Sequence, residues 1–486
     1  MSRPALSPGG ILSRRRWLAT TGALASLNGS DKLSATPSVP SGPSVPSGLG
    51  TGRAKHVIVL FLHGGAATQD MYDLKPDGPS PSRSQFAPID TSIPGIQVCE
   101  HLPLLSKWMH RAAVIRSVSH QSGCHNTAPA FSGHEGLVPN QRIEDLNHPP
   151  SMGSTVEYLH QQSPANRGRN VLPTYFCLPH HLGWGENWRR PGIYSGWLGK
   201  QYDPLCSEPV AWYAKDAVLR DWQNIPTTLG YPRLSKETAV SDSRLQRRWQ
   251  LARSLDRGLQ RANLAETDVQ QFHRRHQQAF DLLTTDRIRK AFDLKQEDAK
   301  TRELYGPSLF GNSCLTARRL IQAGTQFINV FWDSYGIRPA GGSYDYGWDT
   351  HGYNFEVLRE RNLPGLDQAA NALLTDLQRH GLLDETLVLI NSDFGRTPNV
   401  NAKSGRDHWT HCYANLLLGG GIQGGAEYGA SDQNAAYVTE NPVHPRDVCA
   451  TVFKAMGISE NTMIYDRLQR PQPIAMGGRP IESILN

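Results

Sequence analysis

The sequence predicts an α/β protein built on a largely parallel central sheet, and three features carry that reading. His56–Leu62 (H-V-I-V-L-F-L) is apolar at consecutive positions, as a strand covered by helices on both faces must be. Leu387–Ile390 is a second short aliphatic run, preceded by a helical pattern. Each run breaks off into polar residues and glycine, H-G-G after the first and S-D-F-G-R after the second. In open α/β sheets the crevice beyond the strand C-termini is where ligands bind, so both breaks point to one shared edge.

Taken in order, the chain opens with Ser13-Arg14-Arg15-Arg16-Trp17-Leu18, which matches the twin-arginine export pattern. An apolar stretch from Trp17 to Leu27 and a small-residue Ala23-Leu24-Ala25 site follow it. Residues 1–30 are therefore expected to be a signal peptide read by the Tat translocase, with a periplasmic or secreted destination. Residues 31–52 contain two tandem copies of P-S-V-P-S-G, a composition that favours an extended linker over a core. The folded part is expected to span 53–486.

At 486 residues the chain has room for one large core or two domains. Its 38% hydrophobic and 19% charged residues describe a globular protein, and no apolar run after the N-terminus approaches the length of a membrane span. The net charge of +6 is spread along the chain without zinc-finger spacing, so nucleic acid is not an expected partner. Seven scattered cysteines without a C-x-x-C pair argue against a redox motif or a four-cysteine zinc site, and no dense disulfide framework is expected.

Beyond the first strand, Leu102–His110 reads as a short helix and Ala113–Val118 as a strand. The loop His120-Gln121-Ser122-Gly123-Cys124-His125-Asn126-Thr127 then enters an Ala-rich helix start, where unpaired N–H groups favour anions. One of His120, His125 and His134 is a candidate ligand, and the others read as polar loop residues. Val171–Leu178 is a further strand, followed by an aromatic loop with Trp184, Trp188, Tyr194, Trp197 and Tyr202. Such a loop suits either a ring-bearing ligand or a satellite core. Leu245, Trp249, Ala252, Leu255 and Leu259 recur at helical spacing, so residues of about 240–305 read as a helical insertion with a solvated arginine face. Phe327–Trp332 is a strand, Asn354–Arg379 an amphipathic helix, Asn415–Gly421 a strand and Arg446–Met456 a closing helix.

The chemistry is expected at the strand ends. His63 follows the first strand, Asp393 follows Leu387–Ile390, and Asp349 and His351, two residues apart, reach the same side from an extended loop. With His408 they make a candidate set for a divalent ion, zinc, manganese or calcium. Arg396 would pair with a substrate's anionic oxygens, and Arg396 with His125 are the expected catalytic residues. Asn126, Trp184 and Trp197 are the expected substrate-binding residues.

Thr386–Trp409, W-D-T-H-G-x-N at Trp348–Asn354, the K-A-F-D-L and T-A-R-R-L-I-Q-A-G stretches and the H-G-G turn together resemble the exported family of domain of unknown function 1501. That family is grouped with the alkaline phosphatase and sulfatase superfamily. The resemblance implies an alkaline phosphatase-like α/β sandwich with metal ligands on loops after the central strands. It also implies hydrolysis of a small anionic ester or a sulfated or phosphorylated glycan. The chain departs from the superfamily pattern at His63, where an aspartate ligand is usual, and at Phe394, where a histidine follows the aspartate. Cys124 lacks the context for conversion to formylglycine. A catalytically degenerate relative that binds a carbohydrate or a surface partner is the alternative expectation.

Overall fold

The structure, a computed structural model, describes residues 52–80, 82–123, 125–136, 147–166, 172–184, 188–209, 229–230, 247, 250–251, 286–332, 336–337 and 345–486. The twin-arginine segment, the Pro/Ser/Gly linker, Cys124 and most of the expected helical insertion lie outside the described residues.

Eight strands form the central sheet: β1 (His56–Phe61), β2 (Ala112–Val118), β3 (Tyr175–Leu178), β4 (Leu205–Cys206), β5 (Phe327–Phe331), β6 (Thr386–Asn391), β7 (Tyr413–Gly419) and β8 (Ala426–Tyr428). Their order across the sheet is β8-β2-β7-β6-β1-β5-β3-β4. Parallel pairing joins β6, β1, β5, β3 and β4 in succession and β2 to β8. Of the eight, β7 alone runs against the rest, antiparallel to both β6 and β2.

The doubly apolar character of β1 follows from its place at the centre. Val57, Val59 and Phe61 enter one core, and Ile58 and Leu60 enter the other, because successive side chains of a strand alternate faces. On the Val57 side the core is closed by α1 (Ala128–Ser132), α2 (Met152–Gln162) and α5 (Pro445–Ala455), through Phe131, Val156, Val452 and Phe453. On the Ile58 side it is closed by α3 (Leu309–Gln322) and α4 (Leu363–Arg379), through Phe310, Leu315, Leu366 and Leu373. The expected α/β sandwich with a largely parallel sheet is thus present. Among the described residues no helix is long and apolar enough to cross a membrane.

Several boundaries differ from the expectation. Leu105–Arg111 winds as a tight 3-10 helix, and the predicted helix at Asn354–Arg379 contains a π-turn at Leu358–Asn362. That turn carries Asn362, whose Nδ2 donates to the Gly347 carbonyl at 3.0 Å and so ties the helix to the loop before Asp349. Such wide turns recur near functional sites.

Glu157 on α2 is 2% exposed, and its carboxylate accepts from the Thr174 N–H at 2.7 Å and from Gln161. Burial outweighs these bonds and pushes its pKa up to about 7. Because the folded value stands above the unfolded one, the folded state gains from the protonated acid below pH 4.5, and loses that gain as pH rises through about 7. The loss is roughly 3 kcal/mol. Glu157→Gln is expected to flatten this part of the stability profile, and urea unfolding of both proteins between pH 4.5 and 8 checks it. Parallel profiles would contradict it.

Candidate metal centre

The site gathers at the edge of the sheet where β1, β2, β5 and β6 end. Because β7 is antiparallel, its start lies at that same edge, and the preceding residues, including His408, are delivered there. His408 belongs to a two-residue ribbon in which it pairs with Arg396. Asp349 and His351 lie on the loop before Asn354, and Gly405 seats that loop against the ribbon. A Cβ on Gly405 would meet the His351 carbonyl oxygen at 2.0 Å, so the two loops touch where a side chain has no room.

Three ligand atoms make a nearly equilateral triangle. Asp349 Oδ1 stands 3.0 Å from His351 Nε2 and 3.1 Å from His408 Nε2, and the two imidazole nitrogens are 3.0 Å apart. His125 Nε2 lies 3.1 Å from the other oxygen of Asp349. Ligand atoms of all four residues fall within 4.8 Å of one another. Ligands placed 2.0–2.1 Å from a tetrahedral zinc ion sit about 3.3 Å apart, so the triangle has nearly the dimensions of one face of such a centre. Two imidazole nitrogens at this separation cannot both carry a proton, so at least one lone pair points into the cluster. The donor set of three imidazoles and one carboxylate fits a divalent transition metal better than calcium, which takes six to eight oxygens.

The outer nitrogens of His125 and His351 are engaged. His125 Nδ1 is 3.0 Å from Asp393 Oδ2, and His351 Nδ1 is 2.7 Å from Asp407 Oδ1. These are the carboxylate–histidine contacts that fix the tautomer of a metal ligand. Asp393 in turn accepts from the Gly64 N–H at 2.9 Å and from Ser392 Oγ at 3.1 Å. His125 is held with φ 56°, a left-handed conformation uncommon for a residue with a side chain.

Charge balance follows from these contacts. Burial opposes ionisation of Asp349, but Arg396 and then the three imidazoles hold its carboxyl well below the usual carboxylate range. Burial is likewise overridden at Asp393, chiefly by His125, and its carboxyl also stands low. Burial works against a charged His125, yet its bonds to Asp349 and Asp393 raise its pKa. The Asp349 bond raises His351, while burial lowers His408.

The expected residues do not all converge. His63 is 1% exposed, and its ring centroid is 6.3 Å from that of His125, outside the group of four. Burial drives its pKa down to about 3, so it stands behind the cluster as a neutral imidazole. Asp393 also lies outside the group and acts on it through His125. Conversely His125, expected to be catalytic, stands among the ligand atoms.

Arg396 was expected to face substrate, but it is 0% exposed. Its guanidinium donates to the carbonyls of Gly64, Gly65 and Arg406 and to Asp349, so its donors are consumed inside the protein. Gly65, at φ +90°, makes this possible: a Cβ there would come within 2.5 Å of the Phe394 ring and 3.3 Å of Arg396.

Asn126 is buried as well. It bonds Ser122 and the Glu135 carbonyl, and its Oδ1 accepts at 3.2 Å from the N–H of Ala128, the first residue of the five-residue α1. Trp197 lines a cavity of about 10 Å³ with Ser132, Pro149 and Cys449 on the α5 side of the sheet. The Trp184 side chain lies outside the described residues. His120 Nε2 donates to the Asp393 carbonyl at 2.9 Å, which makes it a support for that loop.

Sequence reasoning passed over a second ring of residues. Asp70 and Arg406, both 0% exposed, form a two-pronged ion pair at 2.8 and 2.9 Å. Asn354 Nδ2 donates to Asp70 at 2.9 Å, and Thr350 Oγ1 donates to Asn354 Oδ1 at 2.6 Å. The chain of contacts therefore bolts the Asp349 loop to the segment carrying His408. The only signal in the sequence is a charged residue at each end, 336 positions apart.

A family model described as protein of unknown function (DUF1501) matches residues 54–485. Among solved structures the chain is similar to a protein in the alkaline phosphatase superfamily from Vibrio parahaemolyticus, at 12% identity and a TM-score of 0.36, over 94% of this chain and 76% of that one. It is also similar to the PsFucS1 sulfatase from Pseudoalteromonas sp., at 12% identity and a TM-score of 0.37, over 83% and 68% of the two chains. A third is the lipoteichoic acid synthase LtaP from Listeria monocytogenes, at 12% identity and a TM-score of 0.33, over 88% and 82%. Likeness at these scores carries no argument about chemistry. No curated protein matches the chain.

Proposed function

The chain belongs to the DUF1501 family of proteins of unknown function, and from that premise we propose a divalent-metal-dependent hydrolase of phosphate or sulfate esters that works outside the cytoplasm. The observation that carries the metal is the triangle of Asp349 Oδ1, His351 Nε2 and His408 Nε2, with edges of 3.0 to 3.1 Å. The ester class rests on the family resemblance of the sequence, and the location on the twin-arginine pattern at Ser13–Leu18. A cation held by the triangle supplies Lewis acidity and lowers the pKa of water at the site.

The chain's own groups do the rest. Asp393 accepts the Nδ1 proton of His125 and so turns His125 Nε2 toward the cluster, where it can exchange a proton with a group bound there. Asp407 orients His351 in the same way. Arg396 neutralises Asp349 from behind, with its donors spent inside the protein.

The test is metal analysis of the purified protein joined to assays with aryl phosphate, phosphodiester and sulfate esters. Binding of zinc or manganese with turnover is expected. His125→Ala is expected to lose turnover by about 10²–10⁴-fold, the usual worth of a general acid or base, while the triangle of Asp349, His351 and His408 still holds metal at reduced affinity. A protein that takes up none of zinc, manganese or calcium, or whose turnover is untouched by His125→Ala, would refute the reading.

A further inference from the structure

Away from the metal cluster, one pair of side chains is brought together by the sheet. Cys177 on β3 and Cys206 on β4 are direct register partners in a parallel ladder. Strands in a sheet lie about 4.8 Å apart, which puts paired Cα atoms inside the roughly 4.4–6.8 Å range that disulfides span. Paired positions also project to the same face. Both residues meet the same core, Cys177 within it and Cys206 packed against it.

Asn329 on β5 pairs with Cys177 from the other side and donates to its Sγ at 3.6 Å, which steadies that sulfur in the row. Cys206 is half-buried on the terminal strand of the sheet, so a reagent can reach it. Of the other described cysteines, Cys314 and Cys449 lie within helices, Cys412 lies outside the strands, and Cys99 pairs with Pro88.

We propose that Cys177 and Cys206 are a thiol pair that closes to a disulfide when the protein meets a disulfide-type oxidant. The accessible Cys206 thiolate attacks one sulfur of the oxidant, giving a mixed disulfide and releasing the first thiol. Cys177 then attacks Cys206 Sγ, its proton passing to the second departing thiolate. Two protein S–H groups and one oxidant S–S bond become one protein S–S bond and two released thiols. The cross-link anchors the two-residue edge strand β4 to β3 and closes the chain between 177 and 206. This inference stands apart from the metal chemistry.

The experiment takes the full chain, reduced and desalted, through treatment with oxidised glutathione, followed by denaturation and alkylation. Intact mass is expected to fall short of full alkylation at two thiols, without added glutathione, and digestion is expected to yield a single peptide pair joined through Cys177 and Cys206. The Cys206→Ser protein is expected to leave Cys177 alkylated under the same treatment. Full alkylation of both cysteines after oxidation, or stable glutathione adducts in place of the cross-link, would overturn the proposal. So would a cross-link that joins either cysteine to a different partner.

Discussion

Zinc binding is expected to weaken by more than about 100-fold when His408 is replaced by alanine, and by about 10–100-fold when Asp393 is replaced by asparagine. The grading follows from where each residue stands. His408 Nε2 is one corner of the triangle, 3.0 Å from His351 and 3.1 Å from Asp349, so its loss removes a ligand atom. Asp393 supplies none of the four ligand atoms and acts by holding His125 Nδ1 at 3.0 Å. An asparagine keeps its shape while removing the charge that fixes the tautomer. Competition against a chelator of known affinity measures both constants, and circular dichroism of the metal-free proteins checks that the fold persists. Wild-type affinity in the His408 variant would mean that the cluster is not the metal site. Equal losses in the two variants would erase the distinction drawn between ligand and support.

Asp70→Asn is expected to cost about 3–5 kcal/mol of folding stability, because it strands the Arg406 guanidinium in the interior without its counter-charge. Both partners are fully buried. The remaining acceptors around Arg406 are carbonyls of Thr397, Pro398 and Ser82, and the Phe355 ring lies 5.3 Å from the guanidinium carbon. None of these carries a negative charge. By contrast Arg111–Asp384 joins a half-exposed arginine to an aspartate side chain that is 82% exposed, and Asp384→Asn is expected to cost less than about 1 kcal/mol. Urea unfolding of the two variants side by side makes the comparison. Similar losses would show that the buried pair carries no special weight. Because Asp70 also receives Asn354, and Asn354 receives Thr350, the same variant is expected to loosen the loop that presents Asp349 and His351.

Much of the architecture was legible because strands buried on both faces must be apolar at every position. His56–Leu62, Ala113–Val118, Val171–Leu178, Phe327–Trp332, Leu387–Ile390 and Asn415–Gly421 announced six of the eight sheet strands, and the amphipathic pattern of Asn354–Arg379 announced a long helix. The direction of β7 was not legible, since an apolar run carries no sign of which way it crosses the sheet. That direction matters: it brings His408 to the edge where β1 and β6 end. Candidate ligands were legible as types, since histidine and aspartate just past strand ends are uncommon places for a core residue. Their roles were less so. His63 read as a metal ligand and His125 as a catalytic residue, yet the first stands buried behind the cluster and the second points a nitrogen into it. Arg396 looked like an anion-binding residue because nothing in its neighbourhood along the chain foretells five acceptors arriving from three other segments.

The order of residues along the chain was enough, by itself, to determine an α/β sheet protein whose polar chemistry sits past its strand ends, because burial and backbone periodicity act over a few neighbours. Only the tertiary structure decided which of those groups meet. Asp349, His351, His408 and His125 come from segments more than two hundred residues apart at the extremes, and separations of 3 Å are set by packing and buried ion pairs such as Asp70–Arg406, which no local pattern encodes.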